Sequence, residues 1–136
     1  MILQILVNGI LLGGFYALIG VGFSLVWGVT NIINLAHGAV ALLGSYITYY
    51  MFQNFHIDPF FTLPISFITL YIFGYLVQRY LMNMVVKAQI FMLLILTFGM
   101  EIFLVNFMTT FFSADFRSVT PEYAGKSLEI AGVVIP

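Results

Sequence analysis

Hydrophobic residues run almost without interruption along the first 112 positions of the chain, and short polar clusters divide them into four segments. No Asp, Glu, Lys or Arg occurs between Met1 and Ile57. That stretch can cross a hydrocarbon layer of about 30 Å twice, at about 20 residues per pass. We predict an all-α fold, a polytopic transmembrane helical bundle of about four spans, with helices over residues 2–27, 31–52, 60–78 and 88–112.

The composition agrees with this pattern and excludes several classes of protein. Hydrophobic residues make up 62% of the chain and charged residues 7%, and the mean hydropathy is +1.12. A soluble domain of this size would lack a polar surface with such a composition, so we expect an integral membrane protein in contact with lipid. The net charge of -1 gives no basic surface for nucleic acid. The absence of cysteine excludes disulfides and thiolate metal sites.

The basic residues predict the orientation of the spans. Arg79 and Lys87 lie in a short loop without acidic residues, which the positive-inside rule places in the cytoplasm. Counting back through three spans from this loop places the turn near Trp27 on the cytoplasmic side of the membrane. The same count places the Asp58 turn and the N-terminus on the outer side. Residues 113–136 have a mixed composition and are expected to form an exterior loop, with a short extended segment over residues 128–135.

Small residues are expected to form close helix contacts, because they let the backbones of neighbouring helices approach each other in lipid. In the second predicted helix, Asn34, Gly38, Ala41, Ser45 and Thr48 share one face, with Gly44 beside it. The first predicted helix contains a GxxxG step from Gly9 to Gly13. The residues predicted to pack helices are therefore Gly9, Gly13, Gly38, Ala41 and Gly44.

Polar or small residues within the spans are candidates for a solute pathway or gate, because such residues often mark pathways in membranes. The candidates are Asn34, His37, Gly38, Ser45, Thr97 and Glu101. A structural alternative stays open: Asn34 and His37 would satisfy backbone groups at a helix start, and Glu101 would pin its helix to a neighbour. No second carboxylate, His pair or Ser-His arrangement has a usable spacing, which argues against an enzyme. His37 and His56 lie on opposite sides of the membrane in this predicted topology, which excludes a shared metal.

Several motifs resemble the opening of LivH-type permeases, the membrane subunits of bacterial branched-chain amino acid ABC importers. An Asn-x-Ala-His-Gly element at Asn34–Gly38 follows a Tyr-Ala-Leu helix at Tyr16–Leu18. Further similar segments are Gly13–Gly28, Leu43–Tyr46, Leu96–Met100, Leu104–Asn106 and Arg117–Pro136. The chain departs from the family pattern at Met82–Lys87 and at Glu101. Family members are longer, so the chain resembles an N-terminal half or a truncated product, without the family's cytoplasmic coupling segment.

This resemblance implies a multi-pass permease subunit in the bacterial inner (plasma) membrane. The implied partners are a second permease subunit, homologous or identical, cytoplasmic ATP-binding subunits, an extracytoplasmic solute-binding protein and membrane lipid. The chain itself would hold no cofactor, because ATP is bound by the partner ATPase. Two alternatives stay open: a permease for urea or amides, and a truncated, non-transporting subunit for assembly or anchoring.

Overall fold

A computed structural model describes residues 2–124, residue 126 and the backbone of two short strands. The helices confirm the predicted all-α membrane bundle. They are α1 (Ile2–Thr30), α2 (His37–Phe55), α3 (Pro59–Val77), α4 (Asn83–Val85) and α5 (Ile90–Phe112), and a π-helical turn (Gln78–Met82) joins α3 to α4.

A two-stranded antiparallel hairpin of β1 (Leu128–Ile130) and β2 (Val133–Ile135) occupies the segment that was expected to be extended. Its register pairs Leu128 with Ile135, and β2 lies alongside α1. Residues 125, 127, 131–132 and 136 of the predicted exterior segment lie outside the described residues.

Three stretches of the described chain are long and apolar enough to cross a membrane, judged by length and composition: Ile2–Thr30, Pro59–Val85 and Ile90–Phe112. Helix α2 is not among them, because its 19 residues include His37, Ser45, Thr48, Gln53 and Asn54. It packs against both α3 and α5. The span predicted over residues 31–52 is therefore a more polar helix enclosed on two sides by its neighbours.

Helix α2 begins at His37, six residues later than predicted, and α1 continues past Gly28 to Thr30. The chain turns at Asn31, whose φ of 53° lies in the left-handed region, a conformation that Asn tolerates better than most residues. The Asn31 N–H donates to the Trp27 carbonyl at 2.8 Å, which closes the last turn of α1. Residues 31–36 then form an irregular connection that is anchored by the buried side chains of Ile32 and Ala36.

The turn between α2 and α3 follows the local sequence signals. His56 ends α2 in the left-handed region with a φ of 53°. Asp58 caps α3, since its side chain accepts a hydrogen bond from the Phe60 N–H at 2.9 Å. Pro59 occupies the first helical position, where a missing N–H costs nothing. Helix α3 therefore begins at Pro59, one residue before the predicted start at residue 60.

The core of the bundle lies between α2 and α5. The buried residues of α5 recur at intervals of three or four, which places them on one face; they are Leu93, Thr97, Met100, Leu104 and Met108. Ala36, Ala39 and Met82 belong to the same core, with Val40, Leu43 and Tyr46 packed against it. Tyr46 stacks on Phe112 with ring centroids 4.8 Å apart, so the core reaches the end of α5.

Helices α2 and α3 approach each other at Gly44. A Cβ atom at this position would lie 3.0 Å from Cδ1 of Leu70. One turn further along, the Thr48 and Ser66 hydroxyls are 3.3 Å apart and hydrogen-bonded. A small residue with a neighbouring hydroxyl pair is a typical helix contact in lipid, and Gly44 lies at such a contact between α2 and α3.

The π-helical turn changes which residues of the third helix face the core. Val77 and Met82 are five residues apart, yet both pack in the core, where Met82 is 4% exposed. A regular α-helix would have turned Tyr80 or Leu81 toward Val77 instead. Both of these side chains are exposed. The wider turn therefore brings Met82 inward.

The topology can be tested with single cysteines, because the chain contains none. Asn54, Asn83 and Ser118 are all exposed. Cysteines at positions 54 and 118 should react with a membrane-impermeant thiol reagent added to intact cells, and a cysteine at position 83 should react only after lysis. The reverse labelling pattern would overturn the orientation predicted from Arg79 and Lys87.

Candidate functional site

A cavity of about 350 Å³ lies where the connection between α1 and α2 meets α3 and α5, and we call it the Asn34 cavity. Its polar side chains are Thr30, Asn34, His37 and Gln78. Its other walls are mainly apolar: Val26, Val40, Phe73, Gly74, Val77, Met82 and Met100. Such a cavity, apolar with a few convergent polar groups, is the usual form of a small-molecule site.

Asn34 and His37, both predicted pathway residues, come together here, and each also has a structural contact. The Asn34 Oδ1 accepts a hydrogen bond from the Ala36 N–H at 3.0 Å, which satisfies a backbone group just before α2. The His37 Nε2 lies 3.2 Å from the Ile19 carbonyl oxygen of α1. Asn34 therefore fixes the turn into α2, and His37 joins this turn to α1.

The His37 ring fits against α1 because Gly22 leaves space for it. A Cβ atom at position 22 would lie 3.4 Å from the ring carbon Cε1. Phe23 meets the ring edge-on, with the centroids 5.7 Å apart. Helix α1 has no buried residue in the described chain, and these contacts join it to the start of α2.

Thr97 lies beside this region but is fully buried instead of lining the cavity. Its Oγ1 lies 3.3 Å from the Ile33 carbonyl and 3.1 Å from the Leu94 carbonyl. The hydroxyl thus attaches α5 to the connection before α2. Thr97 forms no hydrogen bond with Glu101, which lies one turn further along α5.

The other predicted site residues lie elsewhere. Glu101 is half-buried, and its carboxyl group has no hydrogen bond or ion pair with any described residue. Gly38, Ala41 and Ser45 are exposed. Apart from the glycine's own chain neighbours and helix backbone, no atom of the described chain lies within 4 Å of a Cβ built at Gly9, Gly13 or Gly38. Packing of these small residues against a neighbouring subunit therefore stays a prediction.

The sequence pattern missed two polar residues of the Asn34 cavity. Thr30 is the last residue of α1, and its hydroxyl donates to the Val26 carbonyl at 2.7 Å. Gln78 begins the π-helical turn, and its amide donates to Asn83 Oδ1 at 3.4 Å. Both residues end long apolar runs, where a polar side chain is expected in any membrane helix. That position alone therefore does not distinguish a site residue.

A second polar contact joins the segment after α5 to the turn between α2 and α3. The Tyr123 hydroxyl donates to Asp58 Oδ1 at 2.9 Å, and the Tyr123 ring lies 6.1 Å from that of Phe60. The pKa of Tyr123 is raised by desolvation, by its hydrogen bond to Asp58 and by the negative charge of that carboxylate. The contact is therefore present below the ordinary pKa of tyrosine, about 10, and is lost as the pH rises above the raised value.

The described residues contain no group of three or more His, Asp or Glu side chains placed to hold a metal ion. The arrangement in the Asn34 cavity suits non-covalent contact with a small solute. An amide, an imidazole and a hydroxyl offer hydrogen bonds, and valine, phenylalanine and methionine side chains offer apolar contact.

Comparison of the sequence with known proteins places the chain in a family. The family model for a branched-chain amino acid transport system permease component matches residues 5–135. The chain is 35% identical over 112 residues to the high-affinity branched-chain amino acid transport system permease protein BraD of Pseudomonas aeruginosa, covering 76% of this chain and 36% of BraD. It is 34% identical over 115 residues to the corresponding LivH of Salmonella typhimurium, covering 79% of this chain and 37% of that protein.

LivH of Escherichia coli is similar at 31% identity over 115 residues, with the same coverage of 79% and 37%. No solved structure is significantly similar to the chain. The chain spans just over a third of the length of these curated relatives. Since the family model matches almost the whole sequence, the chain belongs to the permease family of branched-chain amino acid transport systems.

Proposed function

We propose that the chain forms part of the permease subunit of an ATP-driven importer that carries branched-chain amino acids or a related small polar solute. The observation that carries this proposal is the family match over residues 5–135. The printed names of the relatives, which are branched-chain amino acid transport permease proteins, support the solute class.

The Asn34 cavity supports a role in solute passage. Residues of α1, α2, α3 and α5 and of the segments that join them meet there, and one of its lining residues, Gln78, is exposed. The apolar walls suit an aliphatic side chain, and the polar groups of Asn34 and His37 suit the polar end of the same molecule. Half-burial of both residues leaves them accessible to a solute.

The proposed partners follow from the same assignment. The exposed apolar surface of α1, which has no buried residue in the described chain, suits a second permease subunit and lipid. Cytoplasmic ATP-binding subunits would bind and hydrolyse ATP, and an extracytoplasmic solute-binding protein would deliver the solute. The proposed location is the bacterial inner membrane, and the chain itself would not act as an enzyme.

Deletion of the gene, followed by uptake measurements with radiolabelled L-leucine and urea, tests the proposal. We expect L-leucine uptake at low concentration to fall on deletion and to return on complementation, while urea uptake stays unchanged. Loss of urea uptake alone would assign the chain to a urea importer. Unchanged uptake of both solutes, in cells that still make the other subunits, would favour a non-transporting assembly or anchoring subunit.

A further inference from the structure

A second cavity, of about 340 Å³, lies beside the middle of α2 and is lined by the segment that follows α5. We call it the Arg117 cavity. Leu42, Ser45, Tyr46 and Tyr49 contribute from α2, and Asp115 and Arg117 contribute from the segment. Ser45, a predicted pathway residue, thus belongs to this cavity and not to the Asn34 cavity.

The Arg117 guanidinium is held in place but keeps its hydrogen-bond donors free. It lies over the Tyr49 ring, 5.4 Å from the centroid, which is a favourable position for a cation. No carboxylate or carbonyl of the described chain accepts a hydrogen bond from its side chain. A planar guanidinium with five unused N–H donors is suited to bind a carboxylate in bidentate fashion.

Asp115 supplies the opposite charge at the same cavity. Its carboxylate forms no ion pair or hydrogen bond with the described residues, including Arg117. The two residues are two positions apart, so their Cα atoms are separated by at most about 7 Å. An unpaired cation and an unpaired anion at that spacing can engage the two ends of one small zwitterion.

The α2 side of the cavity offers contacts for the rest of such a molecule. Leu42 and Tyr46 form apolar walls, and the Ser45 hydroxyl makes only a long contact of 3.4 Å to the Ala41 carbonyl. The volume is in the range of ordinary ligand pockets, which begin at about 300 Å³.

From these contacts we propose that the Arg117 cavity binds the zwitterionic part of an aliphatic α-amino acid, with Arg117 at the carboxylate and Asp115 at the ammonium group. This assignment rests on the proposed import function, and it adds to the proposed importer a binding site on the outer side of the membrane. Leu42 and Tyr46 receive the aliphatic side chain.

Equilibrium binding of L-leucine tests the proposal. The membrane assembly containing this chain is placed in nanodiscs that lack phosphatidylethanolamine, because that headgroup is also zwitterionic, and no solute-binding protein is added. Arg117→Gln should weaken binding at least about tenfold, as expected for loss of a charged hydrogen-bonding partner. Arg117→Lys should have a smaller effect, since it keeps the charge. Lys126→Gln, which removes an exposed cation outside the cavity, is the matched control and should bind normally.

A ligand without the ammonium group tests Asp115 separately. The wild-type protein should bind L-leucine in preference to 4-methylpentanoate, and Asp115→Asn should reduce this preference. Normal L-leucine binding by Arg117→Gln, or an unaltered preference in Asp115→Asn, would overturn the proposal. If Arg117→Gln binds L-leucine normally but captures the solute-binding protein more weakly than the wild type does, the proposal is also overturned, and Arg117 is a contact for that protein. A wild-type protein that imports L-leucine but does not bind it in the Arg117 cavity would overturn the cavity assignment alone. A wild-type protein that imports no L-leucine would overturn the proposed function.

Discussion

Gly44→Leu should prevent accumulation of the folded protein in the membrane. A Cβ atom at this position already comes within 3.0 Å of Leu70, and the further atoms of a leucine would force α2 and α3 apart. Separation would also break the hydrogen bond between Thr48 and Ser66. Overpacking typically costs about 1–3 kcal/mol, and loss of this contact adds to that cost. Fluorescence-detected size-exclusion chromatography of a tagged protein would show loss of the monodisperse peak.

Two matched variants identify the cause of this effect. Gly44→Ala should be mild, because the atom it meets is the far end of the flexible Leu70 side chain. Gly38→Leu should leave the chain folded, because nothing in the described chain lies within 4 Å of the added Cβ. If Gly38 packs against a second subunit, as its sequence pattern predicts, Gly38→Leu would instead impair assembly. A folded Gly44→Leu protein with normal yield would contradict the proposed close contact between α2 and α3.

Thr97→Val should lower the thermal stability of the purified protein without changing its fold. Valine has nearly the same shape as threonine but no hydroxyl, so the Ile33 carbonyl loses the hydrogen bond that it accepts from Thr97. An unsatisfied buried group costs about 1–3 kcal/mol, and single side-chain hydrogen bonds in membrane proteins reach about 1.7 kcal/mol. We therefore expect a loss of about 1–2 kcal/mol, measured as a lower midpoint of thermal unfolding by circular dichroism.

Thr97→Ser is the control for this variant, since serine keeps the hydroxyl and loses only a methyl group. It should be more stable than Thr97→Val. Equal stability of the two variants would mean that the hydrogen bond to Ile33 contributes little, and that Thr97 acts through packing alone.

The helices were largely predictable from the sequence, because their signals are local. Asp58 and Pro59 mark the start of α3 by the chemistry of two adjacent residues. The late start of α2 was not predictable in this way, because the apolar pattern continues through residues 31–36. That connection depends on distant contacts, such as the hydrogen bond from Thr97 to the Ile33 carbonyl.

The candidate site was only partly predictable. Asn34 and His37 stand out because they are polar residues in an apolar sequence, and both line the Asn34 cavity. Their partners do not stand out: Gly22 and the Ile19 carbonyl come from the preceding helix, and Gln78 comes from the end of the third. Arg117 resembles any exposed cation until its position over Tyr49 is known.

The π-helical turn at Gln78–Met82 also determines the direction in which the side chains of the following helical residues point. Each residue of an α-helix advances the chain by about 100°. Deleting one residue within this turn would place Met82 four positions after Val77, where an ordinary α-helix keeps it on the core side. Winding the turn as an α-helix without a deletion would instead rotate the succeeding segment by about that angle and carry Met82 away from the core. The turn therefore holds one residue more than an α-helix would need, and a single-residue insertion here should be far less acceptable than a single-residue deletion or a substitution of the exposed Arg79 or Tyr80.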